Sequence, residues 1–445
     1  MFKKFSCDGI DRRVDLEKII DRTHRPGIGD KSYISYPRTG SYKTFPRQIY
    51  FMGYGKLAKG ISQEEVKKRL EEVMPKQERK KNFQGVSPPS VFIGSHNYPK
   101  VNTGVLSPQH HGDSQLMDSP GDWYKEDYSI EKVASLRTSL VNSKQRLKVK
   151  ETDNFLENTR EVAMARKPVN IEVSLDKKPG ASLSGGRAAP VSASGDIEKF
   201  NLNENPKVQR KVEKAFYDTD LKAENAVKEL HGKGINNYKI QQSLSTGMLG
   251  EEENRELVPT RWSITATDDM ISKQMRRNVK TNPEINQIEY YRNEYVGNIF
   301  HVFLIPGRWE YELLEMKRSG SVWNAAQNAY IAQNYEPFSG RTSYADQTAG
   351  AFYATRLGIM ENLTQRGRQA KALVLRDVTP EYWAPLGVWV IRETVRNAFR
   401  DGNAEELESF EDLKFKVSRN FRFLYNRIRQ ESKMLGSRQQ SLTDF

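Results

Sequence analysis

Four segments of this 445-residue chain carry side chains whose types and spacing could do chemistry. The densest is Leu106-Ser107-Pro108-Gln109-His110-His111-Gly112-Asp113, with Asp118 and Asp122 behind it. Imidazole and carboxylate can bind a divalent metal or activate water. Its spacing matches no established metal motif, so no metal ligands are assigned. Gly112-Asp113 and Asp118 to Asp122 also read as ordinary turn formers. The second segment is Val258 to Asp269. Arg261 stands before an expected strand, Ser263 to Thr267, and Asp268 and Asp269 follow it. That order could hold a phosphate and a metal, or simply pair Arg261 with one of the acids. The candidate catalytic set is therefore His111, Asp113, Arg261 and Asp269. In the third segment, Gly340-Arg341-Thr342-Ser343-Tyr344, a glycine turn offers Arg341, Thr342 and Ser343 as phosphate donors. It lacks the lysine and spacing of a P-loop. No G-x-S-x-G, H-E-x-x-H or G-x-G-x-x-G site stands out.

The fourth segment is the chain end, Gln439-Gln440-Ser441-Leu442-Thr443-Asp444-Phe445. In a 3₁₀ turn, residues three apart eclipse on one face. Leu442 and Phe445 would project together as an apolar plug, with the Gln439 amide one turn earlier as donor and acceptor. This is anchor-in-pocket peptide recognition, of the kind that docks on a DNA sliding clamp. The alternative is that Phe445 tucks into the protein's own surface.

Elements that must position these segments can be read from apolar spacing. Ser62 can cap a helix and Glu65 close its box, with Val66, Leu70 and Val73 as a narrow apolar stripe. Ser90 to Gly94 reads as a short buried strand, and Ser95 to Asp122 as a long turn-rich stretch. Residues 177–205 are rich in Gly, Ser, Ala and Pro and read as a loop. Asn205-Pro206 opens an expected helix running to about Leu230 and stopping at Gly232. Strands are expected over Ile299 to Ile305, Glu310 to Met316 (pairing with it) and Lys371 to Arg376. Helices are expected over Asp11 to Ile20, Gly350 to Gln365, Trp389 to Phe399 and Leu413 to Leu435. The last carries Val417, Phe421, Leu424, Tyr425 and Ile428 as an apolar stripe in a strongly basic sequence. Strands and helices mix without regular alternation, which points to an α+β fold with mixed sheets and packed helices.

The formal charge is +13, which suits a polyanionic partner such as DNA. Hydrophobic residues at 37% allow a core, and aromatics at 10% argue against a disordered chain. The one cysteine, Cys7, permits no disulfide framework and no Cys-based zinc site within one chain. That fits a reducing cytoplasm. No apolar run reaches the length a bilayer span needs, and the N-terminus lacks signal-peptide character.

The tail resembles the clamp-interacting motif of proteins that bind PCNA. It departs from the fullest form, which has two adjacent aromatics where this chain has one. Several stretches together resemble the archaeal Nre family of DNA repair proteins. They are Ser90 to Gly94, Tyr98 to Gly104, His111 to Tyr124, Val258 to Asp269, Asn293 to Asn298, Gly340 to Tyr344 and Tyr382 to Trp389. The resemblance implies an N-terminal segment (1–44), an Nre N-terminal region (45–310, with a flexible loop at about 177–205), an Nre C-terminal region (311–435) and a flexible clamp-binding tail (436–445). It also implies repair of damaged DNA after recruitment by PCNA, in an archaeal cytoplasm. Some members carry an N-terminal four-cysteine zinc finger, which Cys7 alone cannot build. No cofactor is specified. Three functions stay open: a clamp-recruited repair factor that binds DNA, an enzyme acting on DNA or a nucleotide near His111 and Asp113, and a non-catalytic scaffold.

Overall fold

The computed structural model describes residues 63–74, 78–110, 112–180, 192–324, 328–400 and 404–436, with a two-strand pair, β1 (Tyr33–Ile34) and β2 (Phe45–Pro46). The expected helix at Asp11 to Ile20, the Ser62 cap, His111 and the tail from Gln439 to Phe445 lie outside the described residues.

Two six-stranded sheets carry the fold. The N-terminal sheet contains β3 (Asn82–Ser87), β4 (Val91–Ile93), β5 (Lys100–Ser107), β6 (Val141–Lys148), β7 (Val169–Leu175) and β8 (Ala193–Leu202), in the order β3-β7-β8-β6-β5-β4. The C-terminal sheet contains β9 (Ile288–Tyr295), β10 (Asn298–Ile305), β11 (Glu310–Lys317), β12 (Tyr330–Glu336), β13 (Lys371–Val378) and β14 (Glu405–Leu407), in the order β12-β11-β13-β10-β9-β14. Each holds one parallel pair, β6 with β8 and β11 with β13, among antiparallel ones. The fold is α+β with mixed sheets, as the sequence predicts.

The two sheets are buried differently. In β10, Val302 and Leu304 enter one core while Phe303 between them enters another. Leu373 and Val374 of β13 part in the same way. Continuous apolar runs follow from burial on both faces. One face is covered by helices α8 (Thr260–Val279), α9 (Gly350–Arg366) and α10 (Val388–Arg400). The other is covered by α11 (Phe410–Asn420) and α12 (Tyr425–Glu431). The N-terminal sheet alternates instead: β7 is buried at every second residue. Its inner face packs on α4 (Asn154–Met164), α7 (Asn237–Ser245) and α8. Helices α1 (Gln63–Val73), α2 (Pro120–Lys125) and α3 (Ile130–Ser139) join α10 in an aromatic cluster where the Trp123 and Trp389 rings meet edge to face, 5.3 Å apart.

Several expectations are corrected. Ser263 to Thr267 is helical, within α8. Trp262, Ala266 and Met270 recur every four residues into the core, a period that a five-residue window with three β-branched residues hides. β11 does not pair with β10; β13 runs between them. The helix expected from Asn205 is two, α5 (Arg210–Tyr217) and α6 (Ala223–Gly232). The Arg255 guanidinium takes the carbonyls of Phe216 and Asp218 at 2.6 and 2.7 Å, satisfying acceptors at the C-terminal end of α5. The loop expected at 177–205 contains β8, and the turn-rich stretch from Ser95 contains β5 and the start of α2. Leu413 to Leu435 is likewise broken, between α11 and α12.

Candidate nucleic-acid interface

The acids and arginines singled out by sequence fall into two environments. Asp113 sits exposed on a turn, where its Oδ1 accepts from the Gln115 backbone N–H at 2.9 Å. Asp118 is held by Ser90 and by Arg137 Nη2, the latter at 2.8 Å. Among the described residues no group of three or more His, Cys, Asp or Glu side chains is arranged to hold a metal ion.

Asp268 and Asp269 belong to a buried ionic layer between α8, α9 and α10. Asp268 accepts from Arg392 Nη2 at 2.5 Å and from Gln241 Nε2 at 3.3 Å. Asp269 pairs with Arg356 and with Lys273 Nζ, the latter at 2.8 Å. Arg356 also donates to Glu336 Oε2 at 2.5 Å and to Ser272 Oγ at 3.1 Å. Arg276 reaches the other Glu336 oxygen at 2.7 Å. Burial pushes the Glu336 carboxyl up, but Arg356 and Arg276 outweigh it and hold it below the usual range. Arg356 and Arg392 are each 1% exposed or less. Buried charges are tolerated only when paired this fully.

The loop from Gly340 closes over one edge of this layer. Gly340 has φ +95°, and a Cβ there would lie 2.5 Å from Arg276 Nη1. Arg341 donates to the carbonyls of Tyr335 at 2.7 Å, Tyr344 at 3.0 Å and Ser343 at 3.3 Å. It holds its own loop, while Thr342 and Ser343 are exposed. Tyr344 lies among Arg261, Thr265 and Asp269, and burial pushes its hydroxyl pKa up. The fold thus brings Arg261, Asp269 and the Gly340 to Tyr344 loop into one neighbourhood, whereas Asp113 lies on a separate, solvent-facing turn of the segment between β5 and α2.

A different set of cations faces solvent. In the β5–β6 ladder Lys100 stands opposite Lys148, Asn102 opposite Arg146 and Gly104 opposite Lys144. Opposed residues share a face, so Lys100, Lys144, Arg146 and Lys148 line one side. Val101, Val105 and Leu147 point to the core on the other. Lys100, Arg146 and Lys148 are exposed and pair with no carboxylate among the described residues. Asp196 reaches Lys144 at 3.7 Å, and Glu151 takes the Lys148 backbone N–H at 3.0 Å. Two lysines directly opposite repel each other, and a polyanion relieves that cost. Gly104 keeps the ladder closed here: a Cβ would lie 1.9 Å from Asn142 Oδ1. Sequence reasoning missed this row. Its signal is Lys144, Arg146 and Lys148 at period two, the spacing of one strand face.

No solved structure matches the chain. The DNA repair protein NreA of Haloferax volcanii is 44% identical over 373 residues, 82% of this chain and 88% of that one. The DNA repair protein NreA of Archaeoglobus fulgidus is 36% identical over 362 residues, 81% of this chain and 89% of that one. The DNA repair protein NreB of the same organism is 33% identical over 367 residues, 82% and 92% of the two chains. Residues 62–324 match the family model described as archaeal Nre, N-terminal, and residues 336–445 the one described as archaeal Nre, C-terminal. With both regions matched in order and similarity running through most of its length, the chain belongs to the archaeal Nre family.

Proposed function

We propose that this chain is a DNA repair factor that holds DNA on the exposed face of β5 and β6 and is brought there by the PCNA sliding clamp. The observation that carries the DNA contact is the row of Lys100, Lys144, Arg146 and Lys148 on one sheet face. A net charge of +13 and relatives named as DNA repair proteins support the same reading. Cations that displace counterions from phosphates supply most of a sequence-independent affinity. For the clamp, the support is the three-residue spacing of Gln439, Leu442 and Phe445 at the chain end. Binding fits the site chemistry better than catalysis does. Asp269 is neutralised by Arg356 and Lys273, and Asp113 serves a turn. No described helix is long and apolar enough to cross a membrane.

Two measurements test this reading. Removing Gln439 to Phe445 is expected to abolish capture by PCNA in a pull-down; undiminished capture would refute the tail assignment. DNA affinity followed across a salt series is expected to fall steeply for the full chain. No binding at low salt would leave the scaffold reading in its place.

A further inference from the structure

We infer that the outer face of helices α11 and α12 and the turn between them docks unpaired nucleotides, with Phe415 and Phe423 as stacking platforms and Arg419, Arg422 and Arg429 as phosphate contacts. The inference rests on the DNA reading above and adds the form of DNA that this second surface takes.

The helix pair is firmly mounted. Leu413, Val417 and Phe421 recur every four residues and pack on the C-terminal sheet with Ile428 and Leu435. Ser409 caps α11 in a reciprocal box with Asp412. Glu312 of β11, fully buried, accepts from Ser432 Oγ at 2.7 Å and from the backbone N–H groups of Lys433 at 2.7 Å and Met434 at 3.0 Å. With one side fixed to the sheet, Phe415 lies two residues beyond Leu413 and turns away from it, in line with Arg419 one turn on.

That outer side is unusual in two ways. Phe423 is 94% exposed and Phe415 67%, whereas most large apolar side chains among the described residues are buried. From Phe415 to Gln430 the chain has five cations, Lys416, Arg419, Arg422, Arg427 and Arg429, and no acid. Lys416 is engaged by Glu405, and Arg427 by the Ala329 carbonyl at 2.8 Å. Arg419, Arg422 and Arg429 are exposed and pair with no carboxylate among the described residues. Exposed aromatic rings ask for a flat or apolar partner, and unmatched guanidinium groups ask for anions. An unpaired nucleotide offers both, base face and phosphate within one repeat. A duplex offers only the phosphates, because its base faces are already stacked.

The test uses the full chain and two fluorescent probes, oligo-dT and a fully paired blunt-ended duplex, at one salt concentration. The double variant Phe415→Ala/Phe423→Ala is expected to weaken oligo-dT binding roughly 30-fold or more, the loss of two stacked bases. It is expected to leave the duplex affinity unchanged. Phe423→Trp is expected to retain oligo-dT binding and to show tryptophan quenching on addition of oligo-dT. Both variants alter exposed rings, and a thermal melt checks that the fold is kept. Unchanged oligo-dT affinity in the double variant overturns the inference and leaves the sheet-face reading intact. A variant that binds both DNAs normally but loses capture by PCNA assigns the surface to a protein and also overturns it. A wild-type chain that binds neither probe overturns both readings.

Discussion

Arginine appears in this molecule under two opposite regimes, and their contrast separates architecture from recognition. Arg356 and Arg392 lie within the helical layer, each 1% exposed or less and surrounded by Asp269, Glu336, Ser272 and Asp268. Arg146 on the N-terminal sheet, and Arg419 and Arg422 on the outer helix pair, face solvent and meet no carboxylate among the described residues. The buried set cannot leave its partners without stranding a charge where water does not reach. The exposed set makes no such internal bond, so its charge is available to an outside anion. Residues that look like chemistry in the sequence, Asp268 and Asp269 above all, belong to the first regime.

The contrast makes its largest prediction inside. Asp268→Ala leaves Arg392 buried without its carboxylate. Removing one partner of such a pair costs about 3–5 kcal/mol. Chemical denaturation is expected to show a loss of that order. A loss under about 1 kcal/mol would mean that the layer is hydrated and that the two regimes are not distinct.

The matching change outside is Lys100→Glu/Arg146→Glu/Lys148→Glu. Stability is expected to stay within about 0.5 kcal/mol per site, as for ordinary surface positions. Duplex affinity is expected to drop, and the slope of log affinity against log salt to become shallower by about 0.9 for each lost phosphate contact. An unaltered slope would remove this sheet face from the DNA interface.

His301 marks the border between the regimes. It is buried at the centre of the C-terminal sheet, with Nδ1 2.8 Å from the Tyr290 hydroxyl. Burial pushes its pKa down to about 3, and Arg292, Lys416 and Arg318 push the same way. The unfolded chain takes up this proton near the ordinary value of 6.5, the folded chain only near 3. Stability is therefore fully present above pH 6.5 and is lost as pH falls toward 3, by up to about 1.4 kcal/mol per pH unit. Glu361 adds to the loss at lower pH. Burial raises its pKa, but His231 and Arg396 outweigh that and bring it to about 2, so its contribution goes as pH falls from 4.5 toward 2. His301→Gln is expected to flatten the upper part of this acid limb, between pH 6.5 and 4.5. Superimposable pH–stability curves for the two proteins would show that His301 does not titrate in that window.

What the sequence made legible follows the same division. Doubly buried strands announce themselves by continuous apolar runs, and Ile299 to Ile305 and Lys371 to Arg376 fall within β10 and β13. The helix read over Gly350 to Gln365 is α9 to within a residue. Elements whose identity depends on distant partners were not legible. α5 ends at Tyr217, where Arg255, far along the chain, takes the carbonyls of Phe216 and Asp218. α8 is helical through Ile264, Thr265 and Thr267 because its core-facing period extends past them on both sides. The site divides likewise. Proximity of Arg261, Asp269 and Tyr344 depends on tertiary packing, which no local pattern shows. The period-two cations of β6 are a local alternation and are carried by the sequence itself.

The smallest effect lies at the base of the outer helix pair. Ser409 Oγ accepts from the Asp412 backbone N–H at 3.2 Å, and Asp412 Oδ2 accepts from the Ser409 N–H at 2.9 Å. These bonds satisfy two backbone donors at the start of α11 that have no partner within the helix. Ser409→Ala removes the first bond and is expected to cost about 1 kcal/mol. The cost should be local, because Leu413, Val417 and Phe421 still pack on the sheet. Hydrogen exchange is therefore expected to accelerate in the first turn of α11 and not in α8 or α9. If the frayed turn also weakens oligo-dT binding while duplex binding holds, then the exposed cations and rings act through a rigid platform. If exchange rises with no change in oligo-dT binding, the first turn is not needed for that surface, and the nucleotide contact narrows to the turn that carries Arg422 and Phe423.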